Sequence, residues 1–560
     1  MFRPAFLLFA FSASVLSLSA KEPSEPRPNI IVVLTDDSGF SDPGCFGGQI
    51  DTPQIDRLAR EGMRFSNFYT AGRCSPTRAT LLTGRDSALV GFGAGMLGGW
   101  NREFPFPAYR ARLSPDFPTL PELLRGGGYA TLMVGKWHLG GSDIRNTPRL
   151  QEGWKKNHPE SEGWKFGPEE VAAEFGAMPV QRGFDRFFGM IEGETDFFYL
   201  SGDAHKYLDG NTPATLDYDR TYTIATHGKT KFGFPHAGKT AAAFYDTDGV
   251  TDRAVGMIQE VKGRPFFLYL AYRAPHAPLQ APAELVEKYL PRFSNISGAV
   301  EARKSGVVRE GVFPAGAPVQ ENPELKKDKA ADLAHALATH AAMLEVVDQN
   351  VGRLMQALEQ SGQADNTAIF FLSDNGAAAE VADVGNVPYR GCKALLWEGG
   401  TRTHFIARWP DRIPAGGINP TVAWVADLLP TFLQIAGVTY PDSFQGHPLS
   451  PPEGRSILPA LLGEKMPPPG YLFFNDRGQQ SVIFQGRWKL LIEPGWYGQT
   501  HETPGMAYVV YDLQTDPAET RNVASENPDL VKRLTEACDA WQKKCGIMDY
   551  AEILKLKDPH

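Results

Sequence analysis

The chain has 560 residues, 42% hydrophobic and 22% charged, the balance of a soluble globular protein with room for a large core. A net charge of -9 excludes the electrostatic footprint of a nucleic-acid binder, so an anionic substrate must be held by a local group of cations. Beyond the first twenty residues no segment reads as a membrane span.

Residues 1–20 read as a secretory signal. Arg3 gives the positive start, Ala5 to Leu18 a mostly apolar stretch short for a bilayer span, and Ser17-Leu18-Ser19-Ala20 small residues for cleavage before Lys21. The expected location is periplasmic or secreted. In that setting the five cysteines, Cys45, Cys74, Cys392, Cys538 and Cys545, leave an odd one unpaired, and Cys74 is the candidate. Cys538 and Cys545 would lie too far apart for a bridge in one continuous helix, and their pairing stays open.

Along the chain, four short apolar runs end in residues able to do chemistry. Asn29-Ile30-Ile31-Val32-Val33-Leu34-Thr35 runs into Asp36-Asp37, and Tyr129 to Gly135 runs into Lys136-Trp137-His138. Phe266 to Ala271 leads to Ala274-Pro275-His276, and Thr367 to Leu372 leads to Ser373-Asp374-Asn375-Gly376. Runs of this length between turn signals, alternating with helical patterns, predict buried strands of a parallel or mixed α/β sheet. Ligands in such sheets bind outside the carboxyl ends of strands, so the four endings can share one crevice. A single such ending is more often a capped turn; four with complementary chemistry are not.

Between the first two runs, Cys74-Ser75-Pro76-Thr77-Arg78 opens a helix, since Pro76 suits a first turn and Cys74 then sits at the positive N-terminus. Gly193-Glu194-Thr195-Asp196-Phe197 reads as an ordinary turn, although Glu194, Asp196 and Phe197 could face a pocket. Residues 291–328 are rich in Gly, Pro and charge and read as an exposed, irregular insertion, with a weak glycosylation sequon at Asn295-Ile296-Ser297. Leu337, Ala341, Leu344, Val347, Val351, Leu354 and Leu358 keep helical spacing and predict a packing helix ending near Gly362. Tyr272, Arg402 and His404 receive no role. Past about Gly454, strands near 471–474, 481–484, 488–492 and 508–513 and a helix over 528–543 predict a small antiparallel α+β subdomain. The expected division is a catalytic domain over 27–453 and this subdomain over 454–560.

Asp36, Asp37, Asp374 and Asn375 are hard oxygen donors without the Cys and His spacing of a zinc site, which suits one Ca²⁺ or Mg²⁺ and favours Ca²⁺.

The stretch Cys74-Ser75-Pro76-Thr77-Arg78-Ala79-Thr80-Leu81-Leu82-Thr83-Gly84-Arg85 resembles the signature of the sulfatase family, a Cys-x-Pro-x-Arg core followed by Leu-Thr-Gly. The resemblance extends from Asn29 to about Gly546 through Gly135-Lys136-Trp137-His138-Leu139-Gly140, Ala274-Pro275-His276-Ala277-Pro278 and Lys393 ahead of Glu398-Gly399-Gly400, and is nearest the bacterial arylsulfatase-like branch. It implies an α/β, alkaline-phosphatase-like mixed sheet flanked by helices. It also implies one metal, usually Ca²⁺, and a Cys74 oxidised to Cα-formylglycine by a formylglycine-generating enzyme. By the same resemblance Asp36, Asp37, Asp374, Asn375 and modified Cys74 bind the metal, and Arg78 holds the formylglycine hydroxyl. Lys136 and Lys393 contact sulfate oxygens, His138 acts as a base, and His276 or Lys393 protonates the leaving oxygen. The implied reaction is hydrolysis of an aryl or carbohydrate sulfate ester. The alternatives are a phosphate or phosphonate ester hydrolase on the same fold and an inactive protein that binds sulfated polymers.

Overall fold

The four apolar runs lie side by side. In the computed structural model, which describes residues 26–93, 106–140, 178–191, 195–203, 205–227, 236–319, 330–492, 508–549 and 552–553, each is a strand with every residue buried: Asn29–Thr35, Ala130–Lys136, Phe266–Ala271 and Thr367–Ser373. The signal segment lies outside the described residues. Asn29–Thr35 pairs in parallel with both Phe266–Ala271 and Thr367–Ser373, and Phe266–Ala271 pairs in parallel with Ala130–Lys136. The runs do not alternate with polar residues because both faces of this sheet are covered. Ile31, Val33, Leu268, Leu270 and Phe371 pack toward helices Asp246–Glu260 and Ala330–Gln360, whereas Ile30, Val32, Phe267, Phe370 and Leu372 pack toward helices Cys74–Thr83 and Leu428–Ala436.

Flanking strands complete a mixed sheet. Arg186–Met190 adds in parallel beside Ala130–Lys136, whereas Arg402–Arg408 and then Met63–Tyr69 add antiparallel beside Thr367–Ser373. The seven spaced apolar residues from Leu337 to Leu358 are all buried along the predicted helix, which runs Ala330–Gln360 and gives way to Gly362 in the left-handed region at φ 68.

The insertion expected over 291–328 is instead helical for much of its length. Ala283–Phe293 and Ile296–Arg309 are helices, and Ile296, Ala299 and Val307 lie in the main core. Gly298, Gly306 and a buried Arg303 dilute the hydrophobic period there, so the pattern is hidden in the sequence. Asn295 caps the second helix by accepting from Gly298 N at 3.0 Å, Arg303 pairs with Asp42 at 2.8 Å, and a Cβ at Gly306 would meet Gly47 O at 2.2 Å. Residues 320–329 of the segment lie outside the described residues.

Beyond Leu461 the architecture changes. Ile457, Ala460 and Leu461 still bury in the large core, so the second unit begins with its first strand rather than at 454. Tyr471–Asp476, Gln479–Phe484, Trp488–Ile492 and Tyr508–Asp512 form an antiparallel meander, and helix Pro528–Cys545 packs on one face. Cys538 and Cys545 are both on that helix and unpaired, as are the other three cysteines. No helix among the described residues is long and apolar enough to cross a membrane.

The two units meet at a buried charge cluster. Lys489 Nζ lies 2.8 Å from Glu398 Oε1 and 2.9 Å from Glu519 Oε1, while Tyr69 and Arg402 donate to Glu398 Oε2 at 2.9 and 3.1 Å. Burial pushes Glu519 up to about 7, with Lys489 opposing and Glu398 adding to the rise. Burial acts on Glu398 in the same sense, but Lys489 and Arg402 hold it below its usual range. Lys489→Met leaves two facing buried carboxyls and should cost about 3–5 kcal/mol in urea unfolding at pH 8. Acids whose folded pKa is raised contribute stability below their unfolded pKa and lose it as pH rises through the folded value. The deficit should therefore shrink toward pH 5, and an equal deficit at both pH values would exclude a charge origin.

Candidate active site

Parallel pairing brings the four strand ends to one edge, and backbone hydrogen bonds continue past the strands to tie the endings together. Asp374 N donates to Thr35 O at 3.0 Å, Asp36 N to Ala274 O at 3.2 Å, and Ser38 N to Ser373 Oγ at 3.1 Å. Asp37 and His138 sit in the left-handed region, at φ 69 and 59, a conformation non-glycine residues keep only where their surroundings enforce it.

Helix Cys74–Thr83 approaches this edge with its N-terminus. All ten of its residues are buried, Gly84 ends it at φ 64, and Cys74 Sγ reaches Asp36 Oδ1 at 3.2 Å. Burial, reinforced by Asp36 and Asp374, pushes the Cys74 thiol up against the opposing effect of Lys136 and Lys393. An unmodified Cys74 is therefore a protonated thiol, inert as a nucleophile.

Three carboxylates and three cations interleave around it. Arg78 donates from Nε and Nη2 to Asp374 Oδ2 at 3.0 and 2.8 Å, from Nη2 to Asp36 Oδ2 at 3.2 Å, and from Nη1 to Lys136 O at 2.8 Å. Four of its five N–H groups are thus engaged by the framework, and the Tyr269 phenol lies beside the same guanidinium. Lys136 Nζ pairs with Asp36 Oδ2, and Lys393 Nζ with Asp37 Oδ1 at 2.8 Å. His276 Nε2 lies 3.7 Å from Asp37 Oδ2, and its Nδ1 faces Ala277 O at 2.5 Å.

These neighbours pull the titrations apart. Burial alone would raise Asp36, but Lys136, His276, Arg78 and Lys393 hold it well below the usual carboxylate range. Asp374 goes the other way, up to about 7, because burial and the charge on Asp36 outweigh Arg78 and Lys136. Burial together with Lys136 and Arg78 keeps His138 well below its ordinary value, and burial with Lys393 lowers His276. Both imidazoles are neutral near pH 7 and offer a lone pair.

The residues fit a hard cation. Asp36, Asp37, Cys74 and His276 present ligand atoms within 4.8 Å of one another. Beside them Asn375 Oδ1 is buried without a hydrogen-bond partner, while Asn375 Nδ2 donates to Asp37 Oδ1 at 2.8 Å. An orphaned amide oxygen among carboxylates is a donor set for Ca²⁺ or Mg²⁺, and the Cys74 thiol and the His276 imidazole are its mismatched neighbours. A divalent charge would also relieve the crowding that holds Asp374 near 7.

All ten residues singled out in the sequence, Asp36, Asp37, Cys74, Arg78, Lys136, His138, His276, Asp374, Asn375 and Lys393, meet at this edge or flank it. Glu194 lies outside the described residues. Asp196 and Phe197 are structural: Arg273 donates to Asp196 O at 2.6 Å and stacks 3.8 Å over Phe197. His404 is fixed by Gly39 O at 3.1 Å and Tyr272 by Thr251 at 2.7 Å. Two neighbours escape the sequence reading. Tyr269 hides in an apolar run, yet its buried phenol is pushed up by burial and influenced by Arg78, Asp374 and Asp36. Asp476 binds Arg73, the residue before Cys74, through both carboxylate oxygens.

Comparison with known proteins agrees in family and fold. A family model described as Sulfatase matches residues 28–438. The chain is 29% identical to an uncharacterized sulfatase of Schizosaccharomyces pombe, with 94% of this chain and 96% of that protein covered. It is 28% identical to an arylsulfatase of Klebsiella aerogenes (79% and 94% covered) and 30% identical to N-acetylgalactosamine-6-sulfatase of Canis lupus familiaris (82% and 70% covered). Among solved structures, Ps i-CgsB in complex with k-i-k-neocarrahexaose superposes with a TM-score of 0.61 at 25% identity, with 92% of each chain covered. A phosphonate monoester hydrolase from Silicibacter pomeroyi shares the fold at a TM-score of 0.56 and 19% identity, with 93% and 96% covered.

Arg78 is the counter-ion on which the cluster's charge balance turns. Arg78→Ala should cost about 3–5 kcal/mol in chemical denaturation at pH 7, because it strands two buried carboxyls. A loss below about 1 kcal/mol would remove Arg78 from that role.

Proposed function

The chain belongs to the sulfatase family, with its alkaline-phosphatase-like α/β fold, and is a sulfuric ester hydrolase; from that premise we propose that it cleaves aryl or carbohydrate sulfate esters with a Cα-formylglycine made from Cys74 and one bound Ca²⁺. The observation that carries the reading is the meeting of Asp36, Asp37, Asp374, the orphaned Asn375 Oδ1 and residue 74 at one buried edge, with Lys136 and Lys393 beside them.

The cation, when bound, supplies positive charge opposite the sulfuryl oxygens and lowers the pKa of a neighbouring hydroxyl. Asp36, Asp37, Asp374 and Asn375 hold it, and an oxygen on residue 74 replaces a sulfur that suits it poorly. A hydrated aldehyde there carries two hydroxyls on one carbon. One would attack sulfur as the S–O bond to the alcohol breaks, and proton loss from the other would then free sulfate and regenerate the aldehyde, an escape that serine lacks. His138, half-buried and neutral, is the base for that second hydroxyl. Lys136 and Lys393 stabilise charge on the sulfuryl oxygens, and Lys393, or His276 once it has taken up a proton, delivers the proton to the departing alcohol.

The Klebsiella arylsulfatase supports the aryl substrates. The dog N-acetylgalactosamine-6-sulfatase, and the complex of Ps i-CgsB with an oligosaccharide, support the sugars. Export with cleavage before Lys21, to a periplasmic or secreted location, and modification by a formylglycine-generating enzyme complete the proposal.

Cys74→Ala should abolish turnover, by about 10³-fold or more, without a change in thermal midpoint. Intact mass of the wild-type Cys74 peptide should show the aldehyde or its hydrate, and full activity in the alanine variant would end the mechanism. Removing divalent ions with EGTA should suppress turnover and lower the thermal midpoint, and Ca²⁺ at 100 times its Kd should restore about 2.7 kcal/mol of stability. Rates on matched sulfate and phosphonate esters separate this reading from its rival, which wins if the phosphonate is faster.

A further inference from the structure

We propose that the hairpin turn of the C-terminal sheet, through Asp476 and Gln479, is a positioning device for the catalytic residues; the proposal rests on the sulfatase reading above. The turn lies past residue 438, where the match to the family model stops.

Strands Tyr471–Asp476 and Gln479–Phe484 are joined by a two-residue turn, with Asp476 opposite Gln479. Arg477 and Gly478 both have positive φ, 47 and 88, the signature of a tight turn whose twist matches its strands. The turn therefore presents the two flanking side chains in a fixed geometry, and both are buried.

Each grips the backbone beside a reacting group. Asp476, 1% exposed, accepts from Arg73 Nε at 3.0 Å and Nη2 at 2.8 Å. Arg73 precedes Cys74, is the extended cap of its helix, and takes the Thr77 N–H on its carbonyl at 3.0 Å. A two-point fork between guanidinium and carboxylate fixes orientation as well as distance. On the other side Gln479 Nε2 donates to Ala394 O at 3.1 Å. Ala394 follows Lys393, is held at φ 71, and donates its own N–H to Gly72 O at 2.9 Å. The segments 72–74 and 393–394 are thus stitched to each other and to one turn, across more than 300 residues of sequence.

A purely adhesive role fits less well, because adhesion is supplied elsewhere. Lys489 with Glu398 and Glu519, and the apolar cluster of Leu396, Trp397, Trp424, Leu472, Phe474 and Ile483, join the two units without the turn. Neither Asp476 nor Gln479 is placed to touch the reacting atoms; they act through residue 74 and Lys393.

The test uses the full-length, Ca²⁺-loaded protein with residue 74 modification measured by intact mass, and 4-nitrophenyl sulfate together with a sulfated sugar as probes. Asp476→Asn and Gln479→Ala are compared with wild type and with Arg487→Ala, which breaks the exposed Arg487–Asp512 pair of the same sheet. The expected result for the two turn variants is kcat lower by about tenfold to a hundredfold, with KM within about twofold, since small misplacements of reacting groups have such effects. Modification should hold and both variants should stay folded at the assay temperature, although loss of the Arg73–Asp476 pair lowers the thermal midpoint of Asp476→Asn. Amide exchange at Thr77 or Ala394 should accelerate, and Arg487→Ala should match wild type. Unchanged kcat in both turn variants, or a loss that merely follows the unfolded or unmodified fraction, overturns the proposal. If wild type hydrolyses no sulfate ester, the functional reading fails by itself, and the exchange rates at Thr77 and Ala394 still decide whether the turn holds these segments.

Discussion

Parallel pairing of Asn29–Thr35 with its two neighbours is the constraint from which the rest of the active edge follows, because it delivers Asp36, Asp37 and Asp374 into one buried volume. Like charges out of water repel strongly, and the neighbourhood is arranged around that fact. Arg78 bridges Asp36 and Asp374, Lys136 shares the Asp36 oxygen that Arg78 holds, and Lys393 takes Asp37. Asp374, pushed up to about 7, is the carboxyl this compensation reaches least, and the orphaned Asn375 amide oxygen next to it fits the needs of a hard cation.

Crowding this many groups requires backbones to approach without side chains between them. A Cβ at Gly376 would stand 1.7 Å from Gly399 O, and one at Gly39 would stand 2.2 Å from Gly385 O. Gly376 follows Asn375, and Gly399 lies in the short helix Glu398–Thr401 that follows the Lys393 loop, so these contacts bring the Asp374–Asn375 ending and Lys393 around the same point. The glycines beside the functional residues are as much part of the geometry as the charges.

Much of this edge was legible in the sequence because local pattern and chemistry coincided. The four strands end within one residue of where their apolar runs stop, and each run is followed within five residues by its Asp, Lys, His or Asn. What stayed hidden had no local signature. Helix Ile296–Arg309 is built on a cap, two close-approach glycines and a buried arginine, none of which produces a hydrophobic period. Tyr269 looks like any aromatic in a buried strand, and its place beside Arg78 follows only from strand order. Asp476 and Arg73 are 403 residues apart, so their pairing is a property of how the second unit docks.

That docking bears on why residue 74 is where it is. The Cys74–Thr83 helix is buried on every side, so its N-terminal residue has almost no freedom of its own. Its position is set by Arg78 anchored among the carboxylates on one side and by Arg73 anchored to the C-terminal turn on the other. Burial and the neighbouring carboxylates push a thiol in that setting toward its protonated form, and sulfur is mismatched to a hard cation. The same enclosure, with its helix N-terminus and nearby ammonium groups, is suited to an oxygen nucleophile that acquires negative charge. On the proposed reading, the fold therefore does not activate a cysteine; it holds a fixed place for the oxygen that oxidation of the cysteine creates.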